Sequence, residues 1–78
     1  MNITVRYLAN MRDRMGRAED KVTVEGDKIT VADLWKKVSP QEALPDSVLI
    51  AVNMEYTDAT RVLKSGDEVA FFPPVTGG

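Results

Sequence analysis

Apolar and polar positions alternate from the first residues of the chain. Ile3, Val5 and Tyr7 fall on one side of an extended backbone, and Thr4, Arg6 and Leu8 fall on the other, which predicts a half-buried strand. Met11 and Met15 then stand one helical turn apart, with Asn10 placed to cap a short helix and Gly16 placed to end it. Val22 and Val24 flank Thr23 in a second short strand, and Glu25-Gly26-Asp27 marks a turn. The period then changes. Val31, Leu34, Trp35 and Val38 repeat at helical spacing and form a single apolar stripe. Thr30 is a good N-cap, Asp33 completes a capping-box-like pattern, and Ser39-Pro40 stops the helix. Residues 41–47 carry no clear period and read as one loose turn or as loop. Val48 to Val52 reads as a buried strand, Asn53-Met54-Glu55 as a turn, and Tyr56 as part of a brief edge strand. Residues 58–63 read as loop. Lys64-Ser65-Gly66-Asp67 is a turn with Gly66 at positive φ, and Glu68 to Phe72 is the last strand.

This order is met by one curved mixed sheet gripping one amphipathic helix, an α+β fold. The first and last strands are expected to lie parallel at its centre, because the intervening elements supply the crossover. Seventy-eight residues make one small domain with a modest core. Trp35 belongs to that core by its place in the helical stripe, and Met11 and Met15 read as its gap fillers.

Composition narrows the chemistry. The chain has no cysteine and no histidine, so disulfides, thiol catalysis and a histidine base are excluded, and no metal site is expected. Ser39, Ser47 and Ser65 have no histidine partner and are not nucleophile candidates. A net charge of −2 with mixed signs, and lysines that form no stripe, argue against nucleic acid. No apolar run approaches a membrane span and no signal peptide is visible, so a cytoplasmic protein is expected. The pairs Glu19-Asp20 and Asp67-Glu68 read as solvated turns without calcium-loop spacing.

The final eight residues, Phe71-Phe72-Pro73-Pro74-Val75-Thr76-Gly77-Gly78, carry the strongest signal. Residues 1–72 read as the domain and residues 73–78 as an extended tail. Pro73-Pro74 cannot continue a ladder and favours extended backbone. Gly77 and Gly78 end the chain without side chains, so a narrow channel does not obstruct them. From Phe72 onward the tail reaches about 20 Å, enough to place the Gly78 carboxylate inside another protein. Alternation also leaves Leu8 and Phe72 on the outward faces of their strands. With Tyr56 on the edge hairpin, they predict an exposed apolar patch beside the tail.

The tail, preceded by Ser65-Gly66-Asp67-Glu68-Val69-Ala70, resembles the C-terminal signature of molybdopterin synthase small subunits, which are ubiquitin-like sulfur carriers of the β-grasp fold. Leu8-Ala9, Gly16 and Ala51-Val52-Asn53 support the resemblance. It implies a subunit without catalytic side chains and without a bound cofactor. An E1-like adenylating enzyme would use ATP and magnesium to activate the Gly78 carboxylate, which then becomes a thiocarboxylate. The tail would enter the large synthase subunit and donate sulfur to precursor Z, in a heterotetramer with two copies at opposite ends of a dimeric large subunit. Leu8, Tyr56, Phe72, Pro73, Pro74, Val75 and Thr76 would contact partners, and Gly77 and Gly78 would carry the chemistry. Three alternatives stay open: a ubiquitin-like modifier joined to lysines, a sulfur carrier for thiamine or tRNA thiolation, and a plain interaction domain.

Overall fold

A computed structural model of the chain describes residues 1–74, so the expectations for Val75, Thr76, Gly77 and Gly78 lie outside the described residues. Strand β1 (Asn2–Tyr7) leads into helix α1 (Met11–Met15), β2 (Glu19–Thr23), β3 (Ile29–Thr30) and helix α2 (Val31–Val38). Then come β4 (Leu49–Val52), β5 (Glu55–Thr57), β6 (Val62–Leu63) and β7 (Glu68–Phe72).

The main sheet has the order β2-β1-β7-β4-β5. Strands β1 and β7 pair in parallel at its centre, with Val5 opposite Val69 and Tyr7 opposite Phe71. The neighbouring pairs are antiparallel. One face packs on α2, which is the β-grasp arrangement anticipated from the tail signature and the element order. Ile3, Val5, Tyr7, Ile50, Val52, Val69 and Phe71 point inward and meet Val31, Leu34 and Trp35. Trp35 packs edge-on against Phe71 with ring centroids 5.0 Å apart, and its indole N–H donates to the Glu42 carbonyl at 2.9 Å. The residue is core, as its helical spacing requires. Residues 41–47 form neither helix nor strand, yet Glu42 anchors them twice, because its carboxylate also pairs with Arg14.

Helix α2 starts where Thr30 was expected to cap it: its hydroxyl accepts from the Asp33 N–H at 3.2 Å. The preceding helical N–H groups are satisfied from an unexpected direction. Val31 donates to the Arg61 carbonyl and Ala32 to the Ala59 carbonyl, both at 3.0 Å. The segment read as loop therefore contains strand β6, which pairs with β3 over two residues and closes the helix entrance.

Four local readings are corrected. Asn10 does not cap α1 with its side chain and is itself helical in backbone. The chain turns at Ala9 (φ 51°), so the Leu8 and Ala9 carbonyls accept from the Met11 and Arg12 N–H groups instead. Strand β2 begins earlier than its valines suggested and ends before Val24, which is buried just beyond it. Glu19 and Asp20 lie in that strand. Asp67-Glu68 is not a solvated turn either, since Asp67 is 4% exposed and Glu68 opens β7.

Asp20 serves Tyr7. The phenol donates to Asp20 Oδ2 at 2.7 Å, Arg17 Nε meets the same oxygen at 2.5 Å, and the Arg17 guanidinium lies 5.4 Å from the Tyr7 ring centroid. Burial first, then the Asp20 carboxylate, pushes the phenol above its ordinary range. The folded chain therefore holds this proton where the unfolded chain has released it. That contribution to stability is complete below about pH 10 and falls as pH rises further, by at most about 1.4 kcal/mol per pH unit. Urea unfolding at increasing alkaline pH should show this decline, and Tyr7→Phe should reduce it. An equal decline in both proteins would place its origin elsewhere.

Candidate functional site

The outer face of the sheet is built by the same alternation that fills the core. Thr4, Arg6, Ala51, Glu68, Ala70 and Phe72 point away from α2 on the central strands, and Leu8 follows on the extension of β1. Leu8 keeps its place through its N–H, which donates to the Phe71 carbonyl at 3.0 Å. Ala51 and Ala70 are direct partners across β4 and β7, so two small side chains sit where larger ones surround them. The result is a groove of about 360 Å³ floored by Ala51 and Ala70 and walled by Leu8, Met54, Tyr56 and Phe72, with Arg6 and Glu68 at its polar rim.

The three residues expected to form an apolar patch are thus brought together. The Tyr56 and Phe72 rings lie 5.7 Å apart in a tilted arrangement. Leu8 is 44% exposed and Tyr56 74% exposed, which is unusual for apolar side chains with a core available to them. Arg6 and Glu68 form an ion pair of 3.2 Å across β1 and β7. Being exposed, the pair adds little to stability, but it sets the charge at the groove's edge.

Met54 was not anticipated. It is 92% exposed and walls the groove from the β4–β5 turn. Its sequence signal was weak, because a methionine in a three-residue turn has no period to place it. The turn has two central residues, Asn53 (φ 51°) and Met54 (φ 70°), with Val52 opposite Glu55. Two successive positive φ angles make it the primed type that matches strand twist.

Pro73 and Pro74 leave the central strand at the end of this groove. On their other side they border a second hollow with Asn10, Met11, Arg14, Ser47 and Val48. The root of the tail therefore follows directly on Phe72, the last residue of a central strand and a wall of the groove. Among the described residues no group of three or more potential metal ligands occurs. None of their helices is long and apolar enough to cross a membrane.

A short β-grasp domain, an exposed apolar face and a tail rooted beside it define a carrier class. The ThiS family model matches residues 5–78, and the chain belongs to the ThiS family. It is 40% identical over 82 residues to the molybdopterin synthase sulfur carrier subunit of Escherichia coli (strain K12), covering 97% of this chain and 99% of that protein. Within the family its function is that of a molybdopterin synthase sulfur carrier subunit, in molybdenum cofactor biosynthesis. Among solved structures, SAMP1 from Haloferax volcanii superposes with a TM-score of 0.79 at 27% identity over the whole of both chains. The same fold appears in the complex of subunits 1 and 2 of molybdopterin-converting factor from Helicobacter pylori 26695, with a TM-score of 0.68 at 23% identity over both full chains.

Proposed function

We propose that sulfur is carried on the Gly78 carboxylate and that the outer sheet face docks the partners that load and unload it. The observation behind this is one of placement: the apolar groove and the root of the tail share the end of β7. A partner that binds the groove therefore meets the root of the tail at Phe72 and Pro73. A free carboxylate is a poor electrophile, so an adenylating partner using ATP and magnesium first converts it to an acyl-adenylate, which gives it a leaving group. Sulfide-level sulfur then displaces AMP and leaves a thiocarboxylate. Insertion into the large synthase subunit brings that sulfur to precursor Z as the nucleophile, and water hydrolyses the resulting thioester, so the sulfur stays on the substrate and the tail returns as a carboxylate. Gly77 and Gly78 serve by lacking a Cβ, which keeps the approach open. No side chain of this protein acts as acid or base.

In this reading Leu8, Tyr56 and Phe72 dock, while Pro73, Pro74, Val75 and Thr76 line the partner's channel. The assembly is a cytoplasmic heterotetramer with two copies at opposite ends of a dimeric large subunit. The Helicobacter pylori complex joins subunits 1 and 2 of such a factor, which supports a large-subunit partner here. A second reading has its own support, because SAMP proteins of the same fold are called small archaeal modifier proteins. There the activated carboxylate would pass to a lysine amine.

Intact mass spectrometry of the protein from its native cell, with and without the adenylating partner, separates the two. A partner-dependent shift equal to one oxygen replaced by sulfur, mapped to Gly78, is the expected result. An unshifted mass together with Gly78 joined to lysines of other proteins would favour the modifier.

A further inference from the structure

Met54 combines two properties that pull against each other. Its backbone lies at φ 70°, in the left-handed region, and its side chain is almost wholly exposed. The second position of this turn type is where glycine is favoured, since a Cβ there is strained. An exposed side chain gains nothing from the core. Folding alone therefore gives no reason for a methionine at this place, and strain of this kind gathers where a site requires a particular side chain.

The turn is also held more firmly than a hairpin of this size requires. Asn53 Nδ2 donates to Asp67 Oδ1 at 2.9 Å, and Asn53 Oδ1 accepts from the Glu68 N–H at 3.0 Å. The Asn53 N–H donates to the Glu68 carbonyl at 2.8 Å. Asp67 is buried, and its other carboxylate oxygen accepts from the Lys64 N–H at 2.9 Å. These bonds clasp the turn to the start of the central strand. Glu68, whose backbone they grip, also forms the groove's polar rim with Arg6. The clasp thus fixes Met54 relative to Leu8, Tyr56 and Phe72.

We infer that Met54 is a specificity-determining contact for the large synthase subunit, and that the Asn53–Asp67 clasp is the device that positions it. This rests on reading the outer face as the docking surface. An unbranched, polarisable thioether suits such a contact, because its flexible chain fills an irregular apolar surface on the partner closely.

The test measures the affinity of the full-length chain for the large subunit by calorimetry, alongside Tm. Met54→Gly relieves the strained φ, so Tm should rise while binding weakens about tenfold. Met54→Ala, which keeps a Cβ at the same φ, should weaken binding similarly. Asn53→Gly tolerates the backbone but opens the clasp, and should weaken binding about three- to tenfold. In the Asn53→Gly background, Met54→Ala should cost clearly less than it does alone, because the two act through one contact. Unchanged affinity in both Met54 variants overturns the contact. Fully additive losses overturn the clasp as its positioning device. If the unaltered chain fails to bind the large subunit, the docking reading itself falls, and this inference falls with it.

Discussion

A chain lacking Gly77 and Gly78 is expected to yield no molybdopterin while unfolding at the same urea concentration as the intact protein. The core residues lie between Ile3 and Phe71, and β7 ends at Phe72, so the deletion removes nothing on which the fold depends. The truncated chain still ends in a carboxylate, on Thr76. It falls short by about 7 Å at roughly 3.3 Å per residue, and it carries a branched side chain where none should be. Loss of function would then come from reach and passage rather than from the absence of an acid group. Reconstitution with the adenylating partner, the large subunit and precursor Z measures this directly. Full activity in the truncated chain would mean that the terminal glycines are an ordinary tail.

The second large effect separates two adjacent phenylalanines. Phe71→Ala should destabilise the protein by about 3–5 kcal/mol, the usual range for a buried aromatic replaced by alanine. Phe71 is fully buried, packed edge-on against Trp35 and stacked on Tyr7 at 6.4 Å. A domain this small has a total stability of about 5–10 kcal/mol, so the substitution removes a large share of it and should lower both the urea midpoint and Tm strongly. Phe72→Arg should leave the urea midpoint almost unchanged, because Phe72 is half-buried on the opposite face beside Tyr56. It should instead weaken partner binding, since an apolar anchor of this size contributes roughly 1.5–3 kcal/mol when covered. Comparable stability losses in both variants would show that β7 pairs one residue out of register.

This contrast was legible in the sequence because strand alternation has a period of two and no ambiguity once one face is assigned. The stripe of Val31, Leu34, Trp35 and Val38 placed the helix, and the same logic placed Leu8 and Phe72 outside. Features without a period stayed hidden. Strands β3 and β6 span two residues each, and the Ala59 and Arg61 carbonyls just before β6 meet α2's first N–H groups, which no local pattern announces. Asp20 and Asp67 looked like solvated acids because sequence alone does not show what faces a carboxylate. Tyr7 answers the first, and the Asn53 side chain with the Lys64 backbone N–H holds the second in place. Met54 escaped for the same reason: its importance lies in a backbone angle and in neighbours brought from β1, β5 and β7.

The position of β7 has a consequence for how the protein comes into being. Strand β7 follows every other strand of the sheet in the chain and is the one that joins β1 to β4, so neither half of the main sheet has its partner until β7 has been made. Folding governed by such distant pairing is slow to begin and comes late in the life of the nascent chain. A chain interrupted before β7 has no Phe71 in its core, no groove wall from Phe72 and no tail root. A product that stops before β7 therefore offers no complete outer face to a partner that recognises the groove.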